Sequence, residues 1–275
     1  MYLIGFGGGV ILIYNEFLDY AIPKVRPSVK DGTLSFATAV EYSIKLIDEH
    51  YKDVSCAFIF GSITKNNFKA YSDIDLVIVT KSQSSWCKVR DIIYGIPFEI
   101  QCFGLNSFDD LECFCKKTGF LFGLYGIAHG EIICDYSGDA MCLKERAKKT
   151  RDEGPLPMVL QTKNLLRTTI SNHIIELITN KDKYENISIG MLLYESIAIL
   201  VLSENRCWLA RGKWIERQLK KLDKGISRKI HEAYKELQAG NPDILIELSC
   251  EILEKSGGPL WKGTRFCTKS RLWHT

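Results

Sequence analysis

The segment that most constrains this chain is an apolar run broken by Gly61-Ser62 and resumed at Asp73-Ile74-Asp75. The pattern predicts a strand, a tight turn, a polar loop and a second strand. Side chains alternate faces along a strand, so Asp73 and Asp75 project from the same face of the second one. Two neighbouring carboxylates repel each other unless a cation neutralises them, and Mg²⁺ commonly takes one or two carboxylates together with substrate phosphates. The segment therefore predicts a metal site that handles phosphates.

The turn between the two strands supplies groups that suit a phosphate. Gly61 has no Cβ, so a phosphate can approach its backbone closely, and Ser62 offers both an N–H and a hydroxyl donor. Lys65, in the same loop, adds positive charge. We therefore expect Gly61, Ser62 and Lys65 to contact the phosphates of a nucleotide.

Gly-Ser after an apolar strand, then a spacer, then Asp-apolar-Asp-apolar, resembles the signature of the DNA polymerase beta-type nucleotidyltransferase superfamily. The resemblance implies a third acidic residue on a following strand, and Glu99 in the segment 97–103 supplies it. Alternation places Glu99 on the face opposite Phe98, Ile100 and Cys102, which we expect to be buried. The alternatives are an ordinary Asp-rich strand edge and a solvated glutamate.

What the resemblance implies is transfer of a nucleoside monophosphate from a nucleoside triphosphate to a hydroxyl, with release of pyrophosphate. Asp73 and Asp75 would hold two divalent ions, Mg²⁺ or Mn²⁺, which stabilise the attacking and leaving oxygens. Glu99 would complete the metal site or act as general base, and the sequence does not separate these two roles. ATP is the favoured donor.

The periodicity of the chain predicts an α+β catalytic domain, with a mixed sheet flanked by helices, followed by an all-α helical bundle. Helical spacing marks residues 35–51, a short helix is predicted over 84–94, and a closing strand is predicted over 131–135. The Gly154-Pro155-Leu156-Pro157 break separates a catalytic domain (1–153, with 1–30 as an uncertain extension) from a bundle (154–256) and a tail (257–275). Apolar stripes predict bundle helices over 158–179, 187–205, 210–222, 227–238 and 243–255.

Composition narrows the function classes. The net charge of +3 is mild and disfavours a dedicated nucleic-acid binder. The 10 cysteines form no C-x-x-C pair, which predicts reduced thiols in a cytoplasmic protein and no zinc site. The apolar run 2–14 is too short to span a bilayer, so no membrane association is expected, and its glycines lack the third position of a dinucleotide-binding motif.

Two isolated residues complete the list of candidates. Lys213, beside Gly212 near a predicted helix start, is a candidate ligand for the triphosphate, with a solvated surface lysine as the alternative. His129 has no second histidine or cysteine at ligand spacing, so a structural role is expected.

The two-domain plan is similar to that of antibiotic nucleotidyltransferases that modify aminoglycosides or lincosamides. We expect the acceptor to be chosen by the helical half, and place a small-molecule hydroxyl slightly ahead of a protein hydroxyl (an AMPylating, antitoxin-like enzyme). An RNA-end nucleotidyltransferase and a non-catalytic nucleotide-binding protein remain as further alternatives. The sequence does not fix the oligomeric state.

Overall fold

The computed structural model describes residues 17–18, 20–65, 67–82 and 86–261, which form two compact units. The first unit comprises the described residues up to Cys115 together with Leu121–Glu153. The second comprises Lys116–Phe120 and the described residues from Gly154 onward. The apolar run 2–14, with its glycines, and tail residues 262–275 lie outside the described residues.

The first unit combines a sheet with flanking helices. Its elements are α1 (Pro27–Lys30), α2 (Phe36–His50), β1 (Val54–Phe60), β2 (Ile74–Thr80), β3 (Cys87–Ile93), β4 (Ile96–Gly104), α3 (Phe108–Thr118, which runs into the Lys116–Phe120 segment), α4 (Phe122–His129), β5 (Glu131–Asp135) and α5 (Ala140–Glu153). The helix α2 starts where the sequence predicts, because the Ser35 hydroxyl accepts a hydrogen bond from the Thr38 backbone N–H at 3.1 Å.

The strands form a five-stranded sheet in the order β3-β4-β2-β1-β5 within the described residues. β2 and β4 are parallel, whereas β1–β2, β1–β5 and β3–β4 are antiparallel. The sheet is therefore mixed, and with the helical second unit it confirms the predicted α+β class.

The two faces of the sheet have different roles. One face packs against α2 in a core that contains Ile59, Leu76 and Ile100, all at most 1% exposed. The other face, here called the site face, carries Phe60, Asp75, Glu99 and Arg90 side by side on four neighbouring strands. Directly paired residues point to the same side of a sheet, so the register alone brings these residues together.

The helix predicted over 84–94 is wrong, because Cys87–Ile93 is the edge strand β3. β3 pairs antiparallel with β4 through a two-residue turn at Tyr94 and Gly95, whose φ angles are 55° and 73°. A turn with two positive φ angles matches the twist of a hairpin, so the chain reverses directly into β4. Gly95 is thus the second residue of a hairpin turn and does not end a helix.

The second unit is a helical bundle, as predicted. Its helices are α6 (Leu160–Thr179), α7 (Lys183–Glu204), α8 (Lys213–Leu222), α9 (Lys224–Ala239) and α10 (Asp243–Lys255). They share one apolar core, to which Ile170, Leu193, Leu219 and Leu245 contribute fully buried side chains. By length and composition α7 could cross a membrane, and its Leu193, Ile197 and Leu200 are buried in this core.

Candidate active site

The two aspartates predicted to bind metal lie at the start of β2 on the site face. Asp75 is the second residue of β2 and lies in register between Phe60 on β1 and Glu99 on β4. Asp73 precedes β2 by one residue, and both aspartates are partly buried. The structure thus pairs Asp75 on β2 with Glu99 on β4, and Asp73 lies just before β2.

The position of Asp75 depends on the glycine at residue 61. Gly61 has a φ of +85°, and a Cβ built on it would lie 1.9 Å from Asp75 Oδ2 and 2.9 Å from Asp75 Cγ. Real Cβ atoms do not approach other atoms so closely, so a larger residue here would displace the carboxylate. Because Gly61 has no side chain, there is room for the Asp75 carboxylate to lie against the turn.

The turn that follows Gly61 is a short 3₁₀ segment, Ile63–Lys65, held by local hydrogen bonds. The Ser62 carbonyl accepts bonds from the backbone N–H groups of Lys65 at 3.2 Å and Asn67 at 3.1 Å. Thr64 Oγ1 donates to the Gly61 carbonyl at 3.1 Å. These bonds fix Ser62, which is partly buried, in the turn beside Asp75.

Lys65 is exposed and lies against α4. Its Nζ donates to the Tyr125 hydroxyl at 3.3 Å and lies 5.9 Å from the centre of the Tyr125 ring. The Tyr125 ring in turn packs edge-on against Phe60, the site-face neighbour of Asp75. Lys65 is therefore on the Gly61-Ser62 side of the site, where the sequence placed it.

Glu99 is partly buried, and two basic residues of β3 cover it. Lys88 Nζ lies 2.6 Å from Glu99 Oε1, while Arg90 Nε and Nη2 donate to Glu99 Oε2 at 2.8 and 2.6 Å. The Glu99 side chain is only 12% exposed, compared with 72% for Arg90. Both carboxylate oxygens of Glu99 are thus engaged by cations.

These contacts shift the pKa values of Glu99 and Arg90. Burial alone would raise the pKa of Glu99, but the hydrogen bonds from Lys88 and Arg90 outweigh it, and the net effect lowers the pKa below its ordinary value. The pKa of Arg90 is raised, first by its hydrogen bond to Glu99 and then by the negative charges of Glu99, Asp73 and Asp75. The influence of all three acids on Arg90 places them in one electrostatic neighbourhood.

Lys88 and Arg90 are site residues that the sequence analysis missed. They were hidden by the incorrect helix over 84–94, in which positions two apart face different directions. The alternative signal was present in Cys87-Lys-Val-Arg-Asp-Ile-Ile93, because the period of two in a strand puts Lys88 and Arg90 on one face.

The remaining two predicted residues, Lys213 and His129, lie on helices. Lys213 is exposed and begins α8 in the second unit, after Gly212. His129 ends α4, where its Nδ1 lies 3.1 Å from the Tyr125 carbonyl and its ring stacks on Tyr125 at 4.3 Å. His129 Nε2 also lies 3.3 Å from Arg151, so the contacts seen here are those of a packing residue.

The donor set fits a divalent cation at the aspartates. Asp73 and Asp75 provide hard oxygen atoms of the kind Mg²⁺ prefers, next to the Gly61-Ser62 turn. Glu99 differs, because its two oxygens are already paired with Lys88 and Arg90. In the part of the chain that is described, no group of three or more His, Cys, Asp or Glu side chains is arranged to hold a metal ion, and the cysteines are free thiols.

The chain was compared with curated protein sequences, with solved structures and with models of protein families. No curated protein sequence matches the chain. Among solved structures, it is similar to a nucleotidyltransferase-like protein from Exiguobacterium sibiricum 255-15, with 10% sequence identity, a TM-score of 0.44, and coverage of 79% of this chain and 76% of that one.

The family model described as "Polymerase beta, Nucleotidyltransferase" matches residues 43–102. This segment contains the Gly61-Ser62 turn, Asp73, Asp75 and Glu99, and also the two basic residues of β3. The resemblance to the polymerase beta-type nucleotidyltransferase superfamily, inferred from the Gly-Ser and Asp-x-Asp motifs, is therefore confirmed over residues 43–102.

Proposed function

We propose that this protein is a metal-dependent nucleotidyltransferase that moves a nucleoside monophosphate from a nucleoside triphosphate, with ATP favoured, to a hydroxyl of a small-molecule acceptor. One observation carries the proposal. Gly61 brings the Asp75 carboxylate against the Gly-Ser turn, with Asp73 and Glu99 beside it, inside the segment that matches the nucleotidyltransferase family.

The donor nucleotide is bound on the β1 side of the site. The backbone of Gly61 and the hydroxyl of Ser62 bind the terminal phosphates, and Lys65 adds positive charge at the same edge. Asp73 and Asp75 would hold Mg²⁺ or Mn²⁺, which would neutralise phosphate charge and stabilise the attacking and leaving oxygens.

The reaction is a displacement at the α-phosphorus. The acceptor hydroxyl oxygen forms a bond to this phosphorus while the bond to the bridging oxygen of the β-phosphate breaks, and pyrophosphate leaves. The hydroxyl proton passes to Glu99 as general base, or to solvent if Glu99 acts instead as a third metal ligand. While Lys88 and Arg90 pair with Glu99, its pKa is lowered and it is a weak base. Substrate binding therefore has to loosen at least one of these pairs before Glu99 can take the proton.

The test is calorimetric titration with ATP, GTP, CTP and UTP in the presence and absence of Mg²⁺, followed by assay of pyrophosphate release with candidate acceptors. We expect tight binding of at least one triphosphate only with the metal. Asp73→Asn and Asp75→Asn should each abolish both metal-dependent binding and turnover, because each removes a metal-binding charge.

The matched control is Asp110→Asn, which makes the same chemical change at an exposed position in the first turn of α3. It should leave binding and turnover unchanged. Equally strong triphosphate binding without metal would refute the assignment of Asp73 and Asp75. Metal-dependent binding without pyrophosphate release from any small molecule, but with labelling of a protein, would replace the small-molecule acceptor with a protein hydroxyl.

A further inference from the structure

The acceptor side of the site carries positive charge that the proposed function does not use. Lys88 and Arg90 lie on β3, the edge strand of the sheet, and both face the site side next to Glu99. Arg90 contacts Glu99 through Nε and Nη2, and 72% of its side chain remains exposed. A substrate that approaches Glu99 therefore meets two cations first.

The geometry of the reaction indicates that the substrate approaching Glu99 is the acceptor. In phosphoryl and nucleotidyl transfer the attacking and leaving oxygens lie roughly in line on opposite sides of the phosphorus. The leaving pyrophosphate belongs to the phosphates bound at Gly61 and Ser62, at the end of β1. The acceptor must then arrive from the opposite side, which in the order β3-β4-β2-β1 is the side of β4 and β3.

An exposed aromatic group lies at the start of the strand that carries the two cations. Trp86 directly precedes β3, two residues before Lys88, and its ring lies 6.4 Å from Phe122 at the start of α4, edge to face. Phe114 of α3 lies 5.3 Å from Phe122. Each of these three rings is exposed to solvent. The helix α4 covers the site face, because Gly126 lies over Val77 and Phe60 and Gly123 lies near Gln101. The aromatic group and the cations therefore border the same face.

We infer that the acceptor is an anion with a planar ring, whose anionic group binds Lys88 and Arg90 and whose ring packs against Trp86. The inference rests on the proposed function and specifies its acceptor class. Binding of the acceptor anion replaces Glu99 as the partner of one or both cations and so frees the Glu99 carboxylate for the hydroxyl. It also excludes polycationic aminoglycosides, because their ammonium groups would face Lys88 and Arg90.

The experiment uses three probes that separate the anion from the ring. AMP has both, ribose 5-phosphate has only the anion, and adenosine has only the ring. Each is titrated into the full chain saturated with Mg²⁺ and α,β-methylene ATP, a non-hydrolysable donor analogue that occupies the donor site. We expect AMP to bind more tightly than either of the other probes.

Variants then assign the contacts. Lys88→Gln and Arg90→Gln should each weaken AMP and ribose 5-phosphate by about tenfold, the usual loss of a charge-assisted hydrogen bond, without affecting adenosine. Trp86→Ala should weaken AMP and adenosine by about tenfold through lost stacking, whereas Trp86→Phe should retain most of the affinity. Lys52→Gln, which removes an exposed lysine before β1, should change nothing.

Several results would overturn the inference. Anion affinity that is the same in wild type and in both β3 variants would place the anion elsewhere. Weaker binding of the donor analogue to Lys88→Gln or Arg90→Gln would assign these cations to the donor phosphates, and tighter binding of an aminoglycoside than of AMP would reverse the charge argument. If the analogue itself fails to bind with Mg²⁺, the proposed function fails, and titration of ribose 5-phosphate without analogue still tests the cation pair.

Discussion

Two acidic residues lie side by side on the site face, and the structure holds them in different ways. Asp75 on β2 fits against Gly61, where even one carbon atom on the glycine would come within 1.9 Å of its carboxylate. Glu99 on β4 is its direct neighbour in register, but Lys88 and Arg90 on β3 hold it by charge. Shape therefore positions the first carboxylate, and charge positions the second.

The difference has a consequence for function. A contact that depends on shape changes when an atom is added, because the Asp75 side chain would have to move away from a Cβ at residue 61. A contact that depends on ion pairs between long side chains tolerates changes of size, and it can be exchanged when another anion competes for the cations. The contact between Gly61 and Asp75 is therefore fixed, whereas the ion pairs that β3 makes with Glu99 can exchange partners.

The largest effect should come from breaking the shape-dependent contact. Gly61→Ala places a methyl group on the Asp75 carboxylate and strains a backbone with a φ of +85°. We expect loss of metal-dependent triphosphate binding, at least a hundredfold loss of turnover, and a decrease of about 1–3 kcal/mol in the free energy of unfolding. Calorimetry, pyrophosphate release and urea denaturation measure the three quantities.

The control for Gly61→Ala separates the clash from the backbone strain. Gly138→Ala introduces the same methyl group at a φ of +82°, but no atom lies within 4 Å of its Cβ. It should cost stability comparable to the strain alone and leave turnover intact. A Gly61→Ala protein with normal triphosphate binding would show that Asp75 is not held by this contact.

The next largest effect should come from removing the charge at Glu99. Glu99→Gln keeps the shape but cannot accept a proton or neutralise Lys88 and Arg90, so we expect turnover to fall by about 10²–10⁴-fold, the range for a lost general base. Triphosphate binding with Mg²⁺ should change much less, because Asp73 and Asp75 remain. Single-turnover kinetics combined with calorimetry distinguishes the two steps.

Glu41→Gln, an exposed position on α2, is the matched control and should leave both steps unchanged. If Glu99→Gln instead reduced Mg²⁺-dependent triphosphate binding as strongly as Asp75→Asn does, Glu99 would be a metal ligand rather than the base. This result would also mean that metal binding displaces Lys88 and Arg90.

The sequence predicts the parts of the site that depend on a local pattern, but not those that depend on how the strands pair. Asp73 and Asp75 were predicted because a period of two along an apolar strand is a strong local signal. Glu99 was placed on the correct face of its strand for the same reason. The sequence predicts that Gly61 contacts a phosphate, but its close contact with Asp75 depends on the β1–β2 register, which no local pattern contains.

The cations were missed because their segment is ambiguous. Residues 84–94 mix polar and apolar side chains, and Gly95 follows them. The pair Tyr94-Gly95 is compatible with a helix end and with a hairpin turn. Pairing with β4 decides in favour of the strand, and that pairing is a tertiary interaction that outweighs local propensity. The bundle helices were predictable because their apolar stripes extend over several turns.

A smaller effect is expected on the pH dependence of the free energy of unfolding, which tests the ion pairs of Glu99 with Lys88 and Arg90. The lowered pKa of Glu99 means that the folded state binds its proton less readily than the unfolded chain, so this stabilisation is complete above the unfolded value of about 4.3 and is lost as pH falls through the lower folded value. Relative to a Lys88→Gln/Arg90→Gln protein, wild type should be more stable by about 1 kcal/mol near neutral pH. The difference should shrink below about pH 4.

Urea denaturation across this pH range measures the difference. Lys148→Gln, which breaks an exposed pair with Glu145 at 2.8 Å, is the control and should show no comparable pH dependence. A stability difference that persists unchanged in acid would mean that Lys88 and Arg90 contribute through packing rather than through the Glu99 charge.

The smallest effect is expected for Lys65, which follows Gly61 in the same turn. Its Nζ is exposed and bonds the Tyr125 hydroxyl at 3.3 Å, so Lys65→Gln should change the free energy of unfolding by no more than about 0.5 kcal/mol. If Lys65 also contacts the triphosphate, KM for the nucleotide should rise about two- to fivefold with kcat unchanged, because an exposed ion pair contributes about 0.2–1 kcal/mol. Tyr125→Phe removes the hydroxyl but keeps the ring, so it should leave KM unchanged. A rise in KM with Tyr125→Phe alone would mean that the tyrosine hydroxyl, and not the lysine, contacts the nucleotide.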